Sequence, residues 1–231
     1  IYLYAHYDEP LNGEELAAYR AMVKKRADRL SVAHILGTKA FMGLDFKVSE
    51  DVLIPRPETE MLVETVVTAA EGTAPVIIDI GTGSGAMGTG VDISPKALAI
   101  AAENGRSLGL DDRVTWIESD LFTQVPPCTC DWLVSNPPYL TQGDMEQLQP
   151  EVRHDPALAL YGGDDGLDFY RRIAADSPAY VKVGGHCAVE IGAGQADDVT
   201  AIFCRHGAYD HEQTVKDYGG IDRVLVFSRK G

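Results

Sequence analysis

The run Val76-Ile77-Ile78-Asp79-Ile80-Gly81-Thr82-Gly83-Ser84-Gly85 passes from an apolar strand pattern straight into a turn with glycine at every second position. Glycine admits positive φ and lets a ligand come close to the backbone. Such a turn at the carboxyl end of a strand can therefore cradle part of a nucleotide cofactor, or it can be a structural turn only. From Val76 onward, short apolar runs alternate with helical patterns, which predicts βαβ units and a parallel sheet. Strands are expected over 76–80, 90–93, 114–117, 132–135 and 187–191. Ser94-Pro95 supplies a cap and a first-turn proline for a helix. Further helices are expected from about 167 to 180, ending before Gly184-Gly185, and from about 195 to 206. The tail, 209–215 and 223–227 around Tyr218-Gly219-Gly220, reads as two strands with no helix between them. That predicts an antiparallel finish, which a nicotinamide-binding sheet does not usually have.

One spacing fails a physical test. Parallel neighbours ending at Ile80 and beginning near Val91 need a crossover of about a dozen residues or more, and only 81–90 lie between them. The expectation is that residues following Ala86 or Met87, in the neighbourhood of 86–89, are absent from the sequence. Upstream, 14–29 carries Leu16, Tyr19, Val23 and Ala27 at helical spacing behind a possible Asn12 cap. It reads as the remnant of a fuller N-terminal helical part, since the chain starts at Ile1. The stretch 40–48 alternates and is broken by Gly43, as a hairpin would be. Ile54-Pro55-Arg56-Pro57-Glu58-Thr59-Glu60 then leads into a helix through about Ala70, with Glu58 and Glu60 near its positive end.

Composition sets limits. The chain has 231 residues, 45% hydrophobic and 24% charged, as an ordinary globular protein does. No apolar run approaches the roughly 20 residues that span a bilayer. The four cysteines, Cys128, Cys130, Cys187 and Cys204, form no C-x-x-C pair and no zinc-like spacing, so reduced thiols in a cytoplasmic protein are expected and no metal site. A net charge of −15 would repel a nucleic-acid duplex on average. Lys24-Lys25-Arg26 reads as a solvated helix face.

The second chemical motif is Asn136-Pro137-Pro138-Tyr139, directly after the strand-like Trp132-Leu133-Val134-Ser135. Two prolines make a stiff turn without N–H donors, leaving the carbonyls of Asn136 and Pro137 with no neighbouring donor. If the Asn136 oxygen and a backbone carbonyl face one spot beside the Tyr139 ring, they form a receptor for a flat group bearing an NH2, either an amide or an exocyclic base amine. Asp92 ends the second strand, where a carboxylate can accept ribose hydroxyls. Asp120 follows the third strand, where it could accept from an adenine amino group with Leu121 packed on the ring. The six histidines are scattered and read as surface or internally bonded residues. Glu190, at a strand end, reads as structural before functional.

Taken in this order, glycine loop, acidic second-strand end, third-strand Asp120 and Asn136 to Tyr139, the chain resembles the class I S-adenosylmethionine-dependent methyltransferases. It is most similar to the HemK-like protein-(glutamine-N5) methyltransferases that act on peptide-chain release factors. His34 to Gly37, Phe41 to Leu44, Leu53 to Glu60, Asp165 to Asp168, Gly184-Gly185 and Glu190 to Gly192 extend the likeness over nearly the whole chain. The resemblance implies an α/β, Rossmann-like fold: a mostly parallel seven-stranded sheet with an antiparallel C-terminal hairpin. It implies a partial N-terminal helical docking region (1–36), a β-hairpin linker (37–56) and a methyltransferase domain (57–231). S-adenosylmethionine, leaving as S-adenosylhomocysteine, would be held by Gly81, Thr82, Gly83, Ser84, Gly85, Asp92, Ile93, Asp120, Leu121 and Asn136. The substrate glutamine would meet Asn136, Pro137, Pro138 and Tyr139, with Pro55, Arg56 and Glu58 nearby. In that expectation the Asn136 oxygen and the Pro137 carbonyl accept the two amide protons, aiming the nitrogen at the methyl carbon. The segment after Ile54 favours a release factor as partner over a ribosomal protein. An adenine-amino DNA methyltransferase and a nicotinamide oxidoreductase are the rival readings, opposed by the acidity and by the terminal hairpin respectively.

Overall fold

The computed structural model describes residues 2–85, 89–127, 129–205 and 207–231. Three helices lead the chain: α1 (Tyr2–Ala5), α2 (Gly13–Ala27) and α3 (Val32–Leu36). Asn12 caps α2 in a reciprocal box, accepting from the Glu14 and Glu15 amides while the Glu15 carboxylate accepts from the Asn12 amide. No residue of α2 is buried, so the predicted apolar face, including Tyr19 and Val23, is exposed. The expected hairpin follows as β1 (Thr38–Phe41) and β2 (Leu44–Lys47), turning at Met42-Gly43 and closed by the buried, edge-on rings of Phe41 and Phe46. Pro57 then opens α4 (Pro57–Ala69) from its first turn, where the missing N–H costs nothing.

The main sheet contains β3 (Ile77–Ile80), β4 (Thr89–Asp92), β5 (Trp116–Glu118), β6 (Cys130–Ser135), β7 (Val181–Glu190), β8 (Tyr209–Lys216) and β9 (Asp222–Arg229), in the order β5-β4-β3-β6-β7-β9-β8. The first five in this order run parallel, and β8 and β9 close the edge antiparallel. Strand order reverses between β3 and β6, the point in such sheets where ligands collect outside the carboxyl ends. The remaining helices are α5 (Pro95–Ser107), α6 (Gln142–Glu146), α7 (Asp168–Asp176) and α8 (Ala196–Cys204).

Alternation along the central strands fills both faces. Trp132 and Val134 of β6 pack with Met61, Leu62 and Val66 of α4. Leu133 faces the other way, into a core with Tyr170 and Ile173 of α7 and Val199 and Phe203 of α8. There Phe203 stacks on Phe227 with ring centroids 4.3 Å apart.

Most boundaries move by a residue or two from the sequence reading, and those around β5, α7 and β7 have consequences. Strand β7 begins at Val181, not Cys187, and α7 stops at Asp176, because Ser177-Pro178 diverts the chain into a 3-10 turn that a prolyl residue cannot extend as α-helix. Gly184-Gly185 lies inside β7 at a register shift against β6 and does not follow a helix. Strand β5 is Trp116–Glu118, against the expected 114–117.

Strands β3 and β4 pair in parallel, Ile80 opposite Val91, across a connection that includes residues 86–88. The position at which the sequence reading placed absent residues lies outside the described residues. Trp116, in register beside Gly90, lays its ring against Gly85, Gly90 and Gly105. A Cβ on Gly90, Gly85 or Gly105 would come within 2.5, 2.8 or 3.0 Å of that ring, so three missing side chains make room for one indole. No described helix is long and apolar enough to cross a membrane.

Candidate active site

Strand β6 delivers Asn136 to the carboxyl edge of the sheet. Because Ser135 pairs with Val189 of β7, the next residues along, Asn136 and Glu190, stand side by side. The first turn of α4 drops Thr59 onto the same spot. Asn136 Nδ2 donates to Thr59 Oγ1 at 3.0 Å, and Thr59 Oγ1 donates to Glu190 Oε2 at 2.7 Å. Glu190 is 1% exposed, and burial above all pushes its carboxyl up to about 7. Burial likewise pushes the Tyr139 phenol up to about 12, so the ring stays neutral. Pro137 is buried, and among the described residues no donor reaches its carbonyl. A cleft of about 250 Å³ opens here, lined by Arg56, Glu58, Asn136, Tyr139, Leu160, Glu190 and Arg223 among others.

The turn is clamped from behind. Leu140 donates to Leu160 and accepts from Gly162, folding the following loop back along it. Gly162 and Gly166 press on the backbone of Pro138 and Tyr139, where an added Cβ would meet their carbonyl oxygens at 2.5 and 2.3 Å, and Gly192 lies under the Tyr139 ring. Gln195 Nε2 donates to the Tyr139 and Gly166 carbonyls while its Oε1 accepts from the Gly192 amide. Arg56 donates to Asp155 Oδ2 at 2.6 Å, and His34 Nε2 lies 3.8 Å from Asp155 Oδ1, with the His34 and Asp155 side chains buried. Burial raises the Asp155 carboxyl above its ordinary range, against the pull of Arg56 and His34. Pro55 is buried just before Arg56, and Glu58 borders the cleft.

The glycine loop leaves β3 at the same edge, coupled to the Asn136 strand through Ser135 Oγ, which donates to the Ile80 carbonyl at 2.7 Å. Gly81, Gly83 and Gly85 all have positive φ, and a Cβ on Gly81 or Gly83 would meet nothing within 4 Å, so the loop presents open backbone. Thr82 is turned inward, its hydroxyl donating to Asp79 Oδ2. The Ser84 carbonyl accepts from Asn104 Nδ2. Asp92 reaches the loop: its Oδ2 accepts from the Gly83 amide and its Oδ1 from the Ser94 amide, each at 2.9 Å. Burial raises its carboxyl from the ordinary range. Ile93 beside it is 47% exposed. Leu121 is buried with φ 50°. Asp120 is not drawn into this group; its carboxylate pairs with Arg172 at 2.8 Å. An open glycine turn with a carboxylate held against it suits a nucleoside cofactor.

Sequence reasoning missed Thr59, Gln195 and Arg223 as site residues and ranked Glu190 as structural before functional. The signals available were Thr59 within Arg56 to Glu60 and Glu190 within Glu190-Ile191-Gly192. A second cleft of similar size lies at the other end of the sheet, around Trp132, His186 and the Lys182–Asp131 ion pair, without a comparable group of convergent polar atoms. Among the described residues no group of three or more His, Cys, Asp or Glu is placed to hold a metal ion.

Comparison with known proteins identifies the family. Residues 1–37 match a family model described as PrmC N-terminal domain, and residues 57–152 match the methyltransferase small domain. The chain is 46% identical to a release factor glutamine methyltransferase of Geobacter sulfurreducens over 236 residues, covering 96% of this chain and 82% of that protein. It is 44% identical to the protein so named from Agrobacterium fabrum, with the same coverage of each chain. In fold it is similar to a methyltransferase from Pyrococcus furiosus, with TM-score 0.63 and 17% identity over 90% of this chain and 99% of that one. Order of strands, site and likeness together place this chain in the release factor glutamine methyltransferase family.

Proposed function

We propose that the enzyme methylates the side-chain amide nitrogen of the glutamine in the Gly-Gly-Gln loop of peptide-chain release factors, in the cytoplasm, using S-adenosylmethionine. The observation that carries this reading is a cleft lined by Asn136 and the neutral Tyr139 ring, with the carbonyl of Pro137, next to Asn136 in the chain, accepting from no donor among the described residues. S-adenosylmethionine, when bound, supplies a methyl group activated by a sulfonium. The residues that would hold it are Gly81, Thr82, Gly83, Ser84, Gly85, Asp92, Ile93, Asp120 and Leu121. For Asp120 the role requires its pair with Arg172 to be shared or released.

An amide nitrogen is a weak nucleophile because its lone pair is delocalised into the carbonyl. Positioning and polarisation must therefore do most of the work. Asn136 Oδ1 and the Pro137 carbonyl accept the two amide hydrogens, which fixes the plane of the carboxamide and enriches its nitrogen. Tyr139 packs on that plane. The paired prolines and the glycine clamp keep the two acceptors from relaxing toward each other. Arg56 and Glu58 border the entrance taken by the loop, with Pro55 buried just before them.

Mass spectrometry of a release factor incubated with enzyme and S-adenosylmethionine tests the proposal, with a ribosomal protein and duplex DNA as parallel substrates. One methyl on the loop glutamine, lost in Asn136→Ala while calorimetry still shows cofactor binding, is the expected result. Methyl transfer to the other substrates but not to the release factor would overturn it.

A further inference from the structure

A primary amide can turn either its oxygen or its NH2 toward a ligand, and the protein around it decides which. Asn136 meets Thr59 Oγ1 through its nitrogen at 3.0 Å, and Thr59 Oγ1 meets Glu190 Oε2 at 2.7 Å. An ionised carboxylate only accepts, and a hydroxyl has one proton. The Thr59 proton is therefore committed to Glu190, and Thr59 has only lone pairs left for Asn136. Reversing the amide would set Asn136 Oδ1 against those lone pairs.

We infer that Glu190, acting through Thr59, is a positioning residue that holds Asn136 with its NH2 inward and its oxygen toward the cleft, making the site an acceptor for a carboxamide NH2. This deepens the reading proposed above and rests on it. An acceptor pair welcomes the two hydrogens of glutamine and repels the carboxylate of glutamate, so the same chain of bonds sets the choice between these two side chains. Glu190 lines the cleft, but in this role it and Thr59 act on Asn136 and not on the reacting atoms.

The arrangement is anchored independently of the substrate. The Glu190 backbone carbonyl accepts from Tyr170 OH at 2.9 Å, and the next amide, Ile191, donates to the Arg223 carbonyl. The charged and titratable groups facing the Glu190 carboxyl are Glu58 on α4, Tyr139 on the turn, Tyr170 on α7 and Arg223 on β9. Burial raises the carboxyl to about 7, opposed by hydrogen bonding from Thr59 and from the Asn136 side chain itself. Uptake of a proton would turn Glu190 into a donor and free the Thr59 proton, removing the direction from the chain.

The test compares Thr59→Val, Thr59→Ser and Glu190→Gln in full-length enzyme with intact release factor. Thr59→Val and Glu190→Gln are expected to lower kcat on the order of 10²-fold, the scale of a misplaced reacting group, with KM for the release factor and affinity for S-adenosylmethionine nearly unchanged. Thr59→Ser, which keeps the hydroxyl, is expected to restore kcat. Wild-type kcat should fall as pH drops through about 7, and that acid limb should vanish in Glu190→Gln. Should Glu190→Gln fail to fold, the Thr59 pair and the wild-type profile still decide. An active wild type with Thr59→Val at near-normal kcat, or with Thr59→Ser as impaired as Thr59→Val, overturns the inference alone. A wild type that transfers no methyl to glutamine overturns the functional reading and this inference with it.

Discussion

A single methyl group at Gly162 should damage catalysis more than it damages the fold. Gly162 has no positive φ, so alanine meets no backbone strain there. Its Cβ would nevertheless lie 2.5 Å from the Pro138 carbonyl oxygen and 2.7 Å from the Tyr139 Cα, where ordinary contact begins at 3.4 Å. Both atoms are backbone, and two prolines keep the turn from flexing locally. The turn must therefore withdraw as a body, by about 0.9 Å at the carbonyl. Overpacking of this kind costs about 1–3 kcal/mol, or a fall in melting temperature of roughly 2–4 °C per kcal/mol in a chain of this size. A displacement near 1 Å at the reacting group is worth on the order of 10² in rate. The assay is single-turnover methyl transfer to a release factor, paired with thermal unfolding. Gly184→Ala is the control: φ is +77° with nothing within 4 Å of the added atom, so it carries about 1–2 kcal/mol of left-handed strain without touching the site. If Gly162→Ala keeps its rate within about threefold of Gly184→Ala at equal stability, the turn does not act as a rigid holder and the reasoning fails.

Glu190 ties stability to pH in the opposite sense to activity. Its folded carboxyl titrates at about 7 against an ordinary 4.5, so the folded state binds the proton more tightly and the stability that Glu190 contributes is complete below about 4.5. It is lost by about 3 kcal/mol as pH rises through 7. Denaturant unfolding of Glu190→Gln should therefore lack that slope and show a more stable protein at pH 8, and an unchanged slope would refute the assignment. Asp92→Asn puts an NH2 against the Gly83 or Ser94 amide; calorimetry should show S-adenosylmethionine affinity reduced about tenfold or more, on the scale of about 1.5–3 kcal/mol for a charged hydrogen bond. Phe203→Ala removes a 1% exposed ring stacked on Phe227 and should lower stability by about 3–5 kcal/mol in chemical denaturation.

The parallel sheet and its antiparallel finish were legible because strand runs such as 76–80 and 132–135 are short, apolar and punctuated by glycine and proline. The Asn136 to Tyr139 turn was legible because two prolines leave few conformations. The start of β7 was hidden by Gly184-Gly185, which looks like a stop and is a register shift within a strand. The chain of bonds from Glu190 to Asn136 was hidden for a different reason. Thr59 is separated from its two partners by 131 and 77 positions, and only the β6–β7 register and the start of α4 bring them together. Glu190 in isolation looks like any strand-end carboxylate. The inward turn of Thr82 and the pairing of Asp120 with Arg172 likewise depend on tertiary neighbours that no local pattern announces.

Trp116 gives the molecule a built-in optical reporter. Its indole rests against Gly85 at the end of the cofactor loop and against Gly90 and Gly105, and the chain's other tryptophan, Trp132, is buried under α4, away from that loop. Emission from Trp116 thus senses whatever shifts the loop, and a Trp132→Phe background isolates the signal. Titrating the cofactor while recording that emission follows loading of the site in real time, without a label or a coupled reaction.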